Sequence, residues 1–142
     1  MIEFRSDSLR ETSLFVSKFF FGRSLDQKVI SFSGCLGSGK TFICNEFLSH
    51  LNVERLNSSS FQGISYYPGE VSIFHCDFYN HPFTEDDYEL NIFPYLSLSP
   101  WLMLVEWPNK LFHSYFEDII QINISVLSNT SRLITVNENP TL

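Results

Sequence analysis

Lys40 and Thr41 close the run Gly34-Cys35-Leu36-Gly37-Ser38-Gly39-Lys40-Thr41, which fits the phosphate-loop pattern G-x-x-x-x-G-K-[ST] at every fixed position. Such a run works through backbone as much as through side chains. Its glycines let successive N–H groups converge on phosphate oxygens, where a Cβ would block the approach. A helix starting behind the loop turns its positive end toward the same anion. In this pattern the lysine reaches the β- and γ-phosphates, and the threonine hydroxyl binds Mg²⁺. Gly34 through Phe42 are therefore the expected contacts of a nucleoside triphosphate.

Two acids stand where such a loop needs them. Asp77 ends the strand-like run 71–77, and Glu106 interrupts the otherwise apolar run 101–107 near its end. Ligands of open α/β sheets gather at the carboxyl ends of strands. A magnesium triphosphate needs an acid to hold the metal and a group to orient the attacking water. A carboxylate buried unpaired at the end of an apolar strand costs several kcal/mol, and a nearby metal or charged ligand removes that cost. Thr41, Asp77 and Glu106 are thus the expected metal ligands, and Lys40, Asp77 and Glu106 the expected catalytic groups. His75 reads as a strand residue placed by packing. His50, His81 and His113 share no metal-ligand spacing and read as structural or exposed.

The elements that must position these residues follow from periodicity. Val29–Ser33, alternating from Ile30, reads as the strand before the loop. Thr41–Leu51 reads as the helix after it, with Ile43, Phe47, Leu48 and Leu51 at three- and four-residue spacing. Ser8 and Glu11 match a capping box ahead of a first helix that carries Leu9, Val16, Phe19 and Phe20 on one face. Residues 52–70 read as a polar connection ending in a turn at Tyr67-Pro68-Gly69-Glu70. A helix is expected over Thr84–Phe93, with Thr84 as N-cap, the acids Glu85-Asp86-Asp87 in its first turn and Pro94 as its stop. Residues 119–127 and 133–136 should close the sheet as a hairpin around Ser128-Asn129-Thr130. The expected fold is one α/β domain over residues 1–142, core about 8–136, in three layers. It is a phosphate-loop NTPase-like arrangement with a central, mostly parallel or mixed sheet flanked by helices.

Composition narrows the class further. A chain of 142 residues with 44% apolar content has room for one core and not for two ordinary domains. Fifteen phenylalanines are available to fill it. The net charge of −7, with no cluster of four basic residues, is the opposite of what an isolated nucleic-acid binder carries. No DNA contact is expected, and RNA would be met only through a partner. Cys35, Cys44 and Cys76 lack C-x-x-C spacing, which supports neither a disulfide framework nor a zinc site. With no apolar run of membrane-spanning length and no signal-peptide pattern, the expectation is a cytoplasmic protein without membrane contact. The guanine-reading Asn-Lys-x-Asp motif is absent, which favours ATP.

The order of motifs resembles one family. The phosphate loop, then Ser58-Ser59-Ser60-Phe61, then His75-Cys76-Asp77-Phe78-Tyr79, then Glu106-Trp107-Pro108 is similar to the TsaE pattern G-x-L-G-x-G-K-T, S-P-T-F, H-x-D-x-Y-R and E-W-P-E. TsaE proteins are the small bacterial ATPases of tRNA threonylcarbamoyladenosine synthesis. The resemblance covers roughly residues 8–136. Its H-x-D-x-Y and E-W-P motifs are far more specific than the loop alone. It implies that Ser60 is the switch-loop hydroxyl, that Asp77 and Glu106 serve metal and hydrolysis, and that Trp107 lies near the nucleotide or a partner. It also implies that Thr12 of the first helix lies near the base.

The resemblance further implies ATP and Mg²⁺ as cofactors, slow hydrolysis, and docking on the TsaB–TsaD complex, which the ATP cycle resets. This chain departs from the pattern at Cys35, Phe42, Ser59, Asn80 and Asn109. Ser59 should loosen the switch loop, and Asn80 and Asn109 remove an arginine and an acid. The alternatives are a small-molecule kinase, which would need a lid with arginines, and a nucleotide-binding structural subunit that has lost hydrolysis. Arg5, Arg10, Arg23, Arg55 and Arg132 form no lid-like cluster.

Overall fold

Near-continuous burial along the central strands makes a sheet that is apolar on both faces, and helices cover each face. The computed structural model describes residues 1–53, 59–98 and 100–138, with Ser59 described by its backbone alone. The strands are β1 (Ile2–Ser6), β2 (Lys28–Ser33), β3 (Ser59–Phe61), β4 (Ile64–Tyr67), β5 (Ser72–Asp77), β6 (Trp101–Glu106), β7 (Ile119–Val126) and β8 (Arg132–Asn137). The helices are α1 (Leu9–Phe20), α2 (Lys40–His50) and α3 (Lys110–Tyr115). One eight-stranded sheet runs in the order β1-β8-β7-β2-β6-β5-β4-β3. Its centre, β7-β2-β6-β5, is parallel, and both flanks are antiparallel. The expected mixed α/β sheet is therefore present. Strands that are buried on both faces explain the near-continuous apolar run of β6.

One core holds Phe15, Val16 and Phe19 of α1 and Ile43, Phe47 and Leu48 of α2 against Ile30, Phe32, Leu102 and Leu104 of the sheet. Phe47 is its hub, with ring centroids 5.3 Å from both Phe19 and Phe32. The second core, on the opposite face, joins Phe74, Met103 and Val105 to Ile92, Phe112 and Phe116. The phenylalanines do fill the interior, although Phe21 and Phe93 are exposed.

The structure departs from these expectations in several places. Residues 52–70 are more than a connection, because β3 and β4 form a hairpin at the sheet edge. Polar Ser59, Ser60 and Ser65 hide it from a hydrophobicity pattern. The segment 84–93 is not a regular α-helix: after a helical start it is a π-helix over Asp87–Ile92, and a 3₁₀ turn over Phe93–Tyr95 contains Pro94. Proline is tolerated at the start of such a turn, so Pro94 does not mark the stop. The N-cap expectation holds there, since Asp87 accepts from the Thr84 N–H at 2.8 Å and Thr84 Oγ1 accepts from the Asp87 N–H at 3.2 Å.

Strand β1 precedes the expected start of the core and pairs with β8 at the other end of the chain, a contact no local pattern announces. Helix α3, only six residues long, was also not anticipated. It begins at Asn109, whose side-chain oxygen accepts from the Phe112 N–H at 2.9 Å.

Phe47 tests the packing. Phe47→Ala should cost about 3–5 kcal/mol of unfolding free energy, read as a fall in urea midpoint at unchanged slope. A loss below about 1 kcal/mol would mean that the α2 face is not packed as described.

Candidate functional site

Strand alternation decides which side chains meet. On β6, Leu102, Leu104 and Glu106 share the face covered by α2, and on β5 Ile73, His75 and Asp77 do the same, because successive residues point to opposite faces. Parallel register sets Asp77 beside Glu106, and Glu106 beside Phe32 at the end of β2. The loop 34–39 leaves β2 at that same end and delivers α2 over the two acids. Asp77 is fixed from both sides. Its backbone N–H donates to Gly63 O at 2.7 Å, and its Oδ1 accepts from the Tyr79 N–H at 3.1 Å.

The loop has the backbone such a site requires. Gly39, the N-cap of α2, sits at φ 110°, a value that residues with a Cβ rarely adopt. Gly34 leaves no room for a side chain, since a Cβ there would lie 2.5 Å from Ile124 O and 2.6 Å from Ser38 Oγ. Lys40 is buried, and its Nζ donates to Gly34 O at 2.5 Å and Cys35 O at 2.9 Å while lying 4.4 Å from the Trp107 ring centroid. Trp107 itself has φ 58° and packs on Tyr79. A non-glycine residue in the left-handed region stores about 1–3 kcal/mol of strain, a cost typical of ligand clamps. Thr41 Oγ1 donates to Glu106 Oε1 at 3.4 Å.

Two cavities flank the loop. One of about 260 Å³ is lined by Leu36, Gly37, Gly39, Lys40, Thr41, Phe42, Asp77, Tyr79, Glu106 and Trp107. The other, about 630 Å³, touches Thr12, Ser38, Gly39, Phe42, Ile124, Asn129 and Arg132. Most of the residues singled out from the sequence thus converge on one loop. Ser60 does not line either cavity. It lies on β3 and borders a separate edge cavity with His75 and Asp77. Ser58 lies outside the described residues, so the Ser58–Phe61 segment is described as strand from Ser59 onward.

Ser38 Oγ is fully buried with no hydrogen-bond partner among the described residues, inside the curl of the loop. Orphaned polar atoms of this kind are rare without a missing partner. Together with the glycine backbone and the convergent hydroxyl, ammonium and carboxylates, it is the donor set a phosphorylated ligand with a hard cation would satisfy.

Sequence reasoning missed three participants. Arg132 donates from Nε to Ser38 O at 2.9 Å, bracing the loop from the β7–β8 hairpin. Nothing local in the sequence signals that, because the hairpin reaches the loop through tertiary pairing. His75 is more than packing, with Nε2 lying 3.0 Å from Glu106 Oε2. Cys44, one helical turn after Lys40, lies beside the same carboxylate. Burial pushes its thiol well above the ordinary range, and the charges of Glu106 and Asp77 add to the effect. Of the remaining histidines, His81 is bonded to Asp87 at 3.3 Å, His50 stacks on Phe20, and His113 lies edge-on to Phe112. No helix among the described residues is long and apolar enough to cross a membrane.

A family model described as threonylcarbamoyl adenosine biosynthesis protein TsaE matches residues 7–134. The chain belongs to the TsaE family. It is 30% identical over 135 residues to the tRNA threonylcarbamoyladenosine biosynthesis protein TsaE of Rickettsia prowazekii, covering 93% of this chain and 92% of that protein. The protein of the same name from Treponema pallidum is 26% identical over 117 residues, covering 81% of this chain and 86% of its own. Among solved structures, Bacillus subtilis YdiB superposes with a TM-score of 0.70 at 23% identity, covering 98% of this chain and 86% of the other, which is agreement of fold.

In this TsaE-family chain Gly34→Ala should destabilise the fold by about 1–3 kcal/mol, because the new methyl meets a backbone carbonyl; a thermal melt unchanged from wild type would contradict the loop packing. Thiol titration separates the cysteines. Cys35 is exposed. Cys44 and Cys76 are buried with thiols held neutral, Cys76 by burial and the nearby Asp87 charge. One fast-reacting thiol should be counted in the native protein at pH 8 and three after unfolding.

Proposed function

We propose that this chain binds ATP with Mg²⁺, hydrolyses it slowly, and serves tRNA N6-threonylcarbamoyladenosine formation in the cytoplasm by docking on and resetting a TsaB–TsaD complex. The observation that carries the nucleotide half is the meeting of Lys40, Thr41, Asp77 and Glu106 around one cavity at the carboxyl ends of parallel strands, under a glycine loop. Family membership carries the biosynthetic half.

In this reading the loop N–H groups and Lys40 hold the phosphates, and Thr41, Asp77 and Glu106 hold the metal. Mg²⁺ bound there would neutralise charge on the triphosphate. Glu106 fits the orienting of a water, being buried, acidic and tied by separate oxygens to Thr41 and His75. The 630 Å³ cavity next to Ser38 suits the nucleoside, with Thr12 on its wall. Thr12 Oγ1 is already paired with Ser6 Oγ at 2.6 Å, so it suits shaping the wall more than gripping a base. The net negative charge suits a protein that meets another protein and leaves tRNA to its partners.

A kinase gains no support from the arginine beside the loop. Arg132 is committed to the backbone oxygens of Ser38, Ser128 and Ser131 and is not free to close over a phosphate.

Hydrolysis should be measured with and without the cognate TsaB–TsaD pair for wild type, Lys40→Ala and Glu106→Ala. Turnover should rise with the partners, and Glu106→Ala should lose ~10²-fold or more in kcat while still binding nucleotide. Lys40→Ala should weaken binding as well. Tight binding with no turnover under any condition would replace the cycling ATPase by a nucleotide-gated docking subunit, and phosphoryl transfer to a metabolite would replace both by a kinase.

A further inference from the structure

Glu106 presents its two oxygens to two different donor sets. Oε1 faces the hydroxyl of Thr41, and Oε2 faces the imidazole of His75. The Cys44 thiol lies beside the same carboxylate and donates to it. Cys Sγ, His nitrogen and carboxylate oxygen all lie within 4.8 Å of one another, from α2, β5 and β6. Cys44 and Glu106 are buried and His75 is half-buried. None of the three is delivered by neighbouring residues in sequence, so no spacing motif reveals them.

We propose that Cys44, His75 and Glu106 form a three-donor site for a zinc-class divalent cation. The donor chemistry makes the choice of ion. Sulfur, nitrogen and one carboxylate oxygen are the mixed set that Zn²⁺ and Co²⁺ take in tetrahedral geometry, with the fourth position left to water. Mg²⁺ prefers oxygen donors alone and keeps several waters. The charge balance agrees. Two carboxylates, Glu106 and Asp77, and one ammonium, Lys40, act on Cys44, which leaves the surroundings net negative. Binding exchanges the thiol proton for the metal: the S–H bond breaks, an S–metal bond forms, and the proton leaves to solvent.

The consequence is antagonism between two cations over one carboxylate. An ion held by Cys44, His75 and Glu106 occupies a carboxylate that the proposed Mg²⁺ site also uses, so zinc should inhibit hydrolysis. That consequence rests on the function proposed above, whereas the site itself does not.

The test therefore begins without nucleotide. Metal-free full-length protein is titrated with Co²⁺ and its absorption spectrum recorded, then Zn²⁺ is added as competitor. One equivalent of cobalt should produce tetrahedral d–d bands and a thiolate-to-cobalt charge-transfer band, all removed by zinc. Cys44→Ser should abolish the charge-transfer band. His75→Gln, at a half-buried position that the fold tolerates more readily, should keep the band and weaken cobalt binding by more than about tenfold. Cys35→Ser should leave the spectrum as it is.

No charge-transfer band at saturating cobalt overturns the proposal, as does a band that survives Cys44→Ser and vanishes in Cys35→Ser. If ATP turnover is absent while the cobalt spectrum appears as described, the ATPase reading fails and the metal site stands. If turnover is present and the band is missing, the reverse holds.

Discussion

A carboxylate that ends a buried strand has to be compensated by its surroundings, and Glu106 imposes that condition on everything near it. Residues 102–105 before it are all buried and apolar, so the strand drags the acid to 3% exposure. Unpaired, such a charge costs several kcal/mol. The sheet and α2 respond by bringing Thr41, His75 and Cys44 within reach of its oxygens. None of these is a fixed cation, and the one nearby lysine is turned toward its own loop. The acid is thus held by hydrogen bonds, with no Lys or Arg paired to it among the described residues.

Lys40 is held in the same provisional way. Its ammonium is partnered by two backbone carbonyls and the face of Trp107, contacts that an incoming anion can replace in kind. Trp107 follows Glu106 directly and occupies the left-handed region, so the strained turn fixes the ring over the lysine as it ends the strand. Lys40 therefore contacts Trp107, and Trp107 contacts Tyr79 of the segment that follows Asp77. Aromatic contacts thus join the loop lysine to the segments that follow the two acidic strand ends.

Much of this was legible in residue order alone. The phosphate loop, its flanking strand and helix, and the placement of Asp77 and Glu106 at strand ends rest on local rules of period and turn chemistry, and the fold follows them. What was hidden depends on tertiary return. β1 finds β8 from the opposite end of the chain, and Arg132 reaches Ser38 only because β7 and β8 fold back over the loop. The β3–β4 hairpin is concealed by its serines, and the π-helix by a capping pattern that predicts an ordinary helix start. His75 and Cys44 were invisible as a pair for a simpler reason: their common partner lies on a third element.

The departures from the family pattern acquire a physical meaning in the same frame. Asn109 replaces an acid, yet its side chain is employed twice, accepting from the Phe112 N–H and donating to Phe83 O at 2.9 Å. It ties the start of α3 to the segment before the π-helix, so position 109 acts in the core on the far face of the sheet, where α3 packs. Losing a charge there removes no donor from the Lys40–Thr41–Glu106 cluster. Ser59 lies on β3, at the sheet edge, and pairs with Tyr66 through backbone register. There, exchanging proline for a residue with an N–H is compatible with the ladder. Asn109 and Ser59 thus lie among the supports of the site, and Lys40, Thr41, Asp77 and Glu106 all remain in its centre.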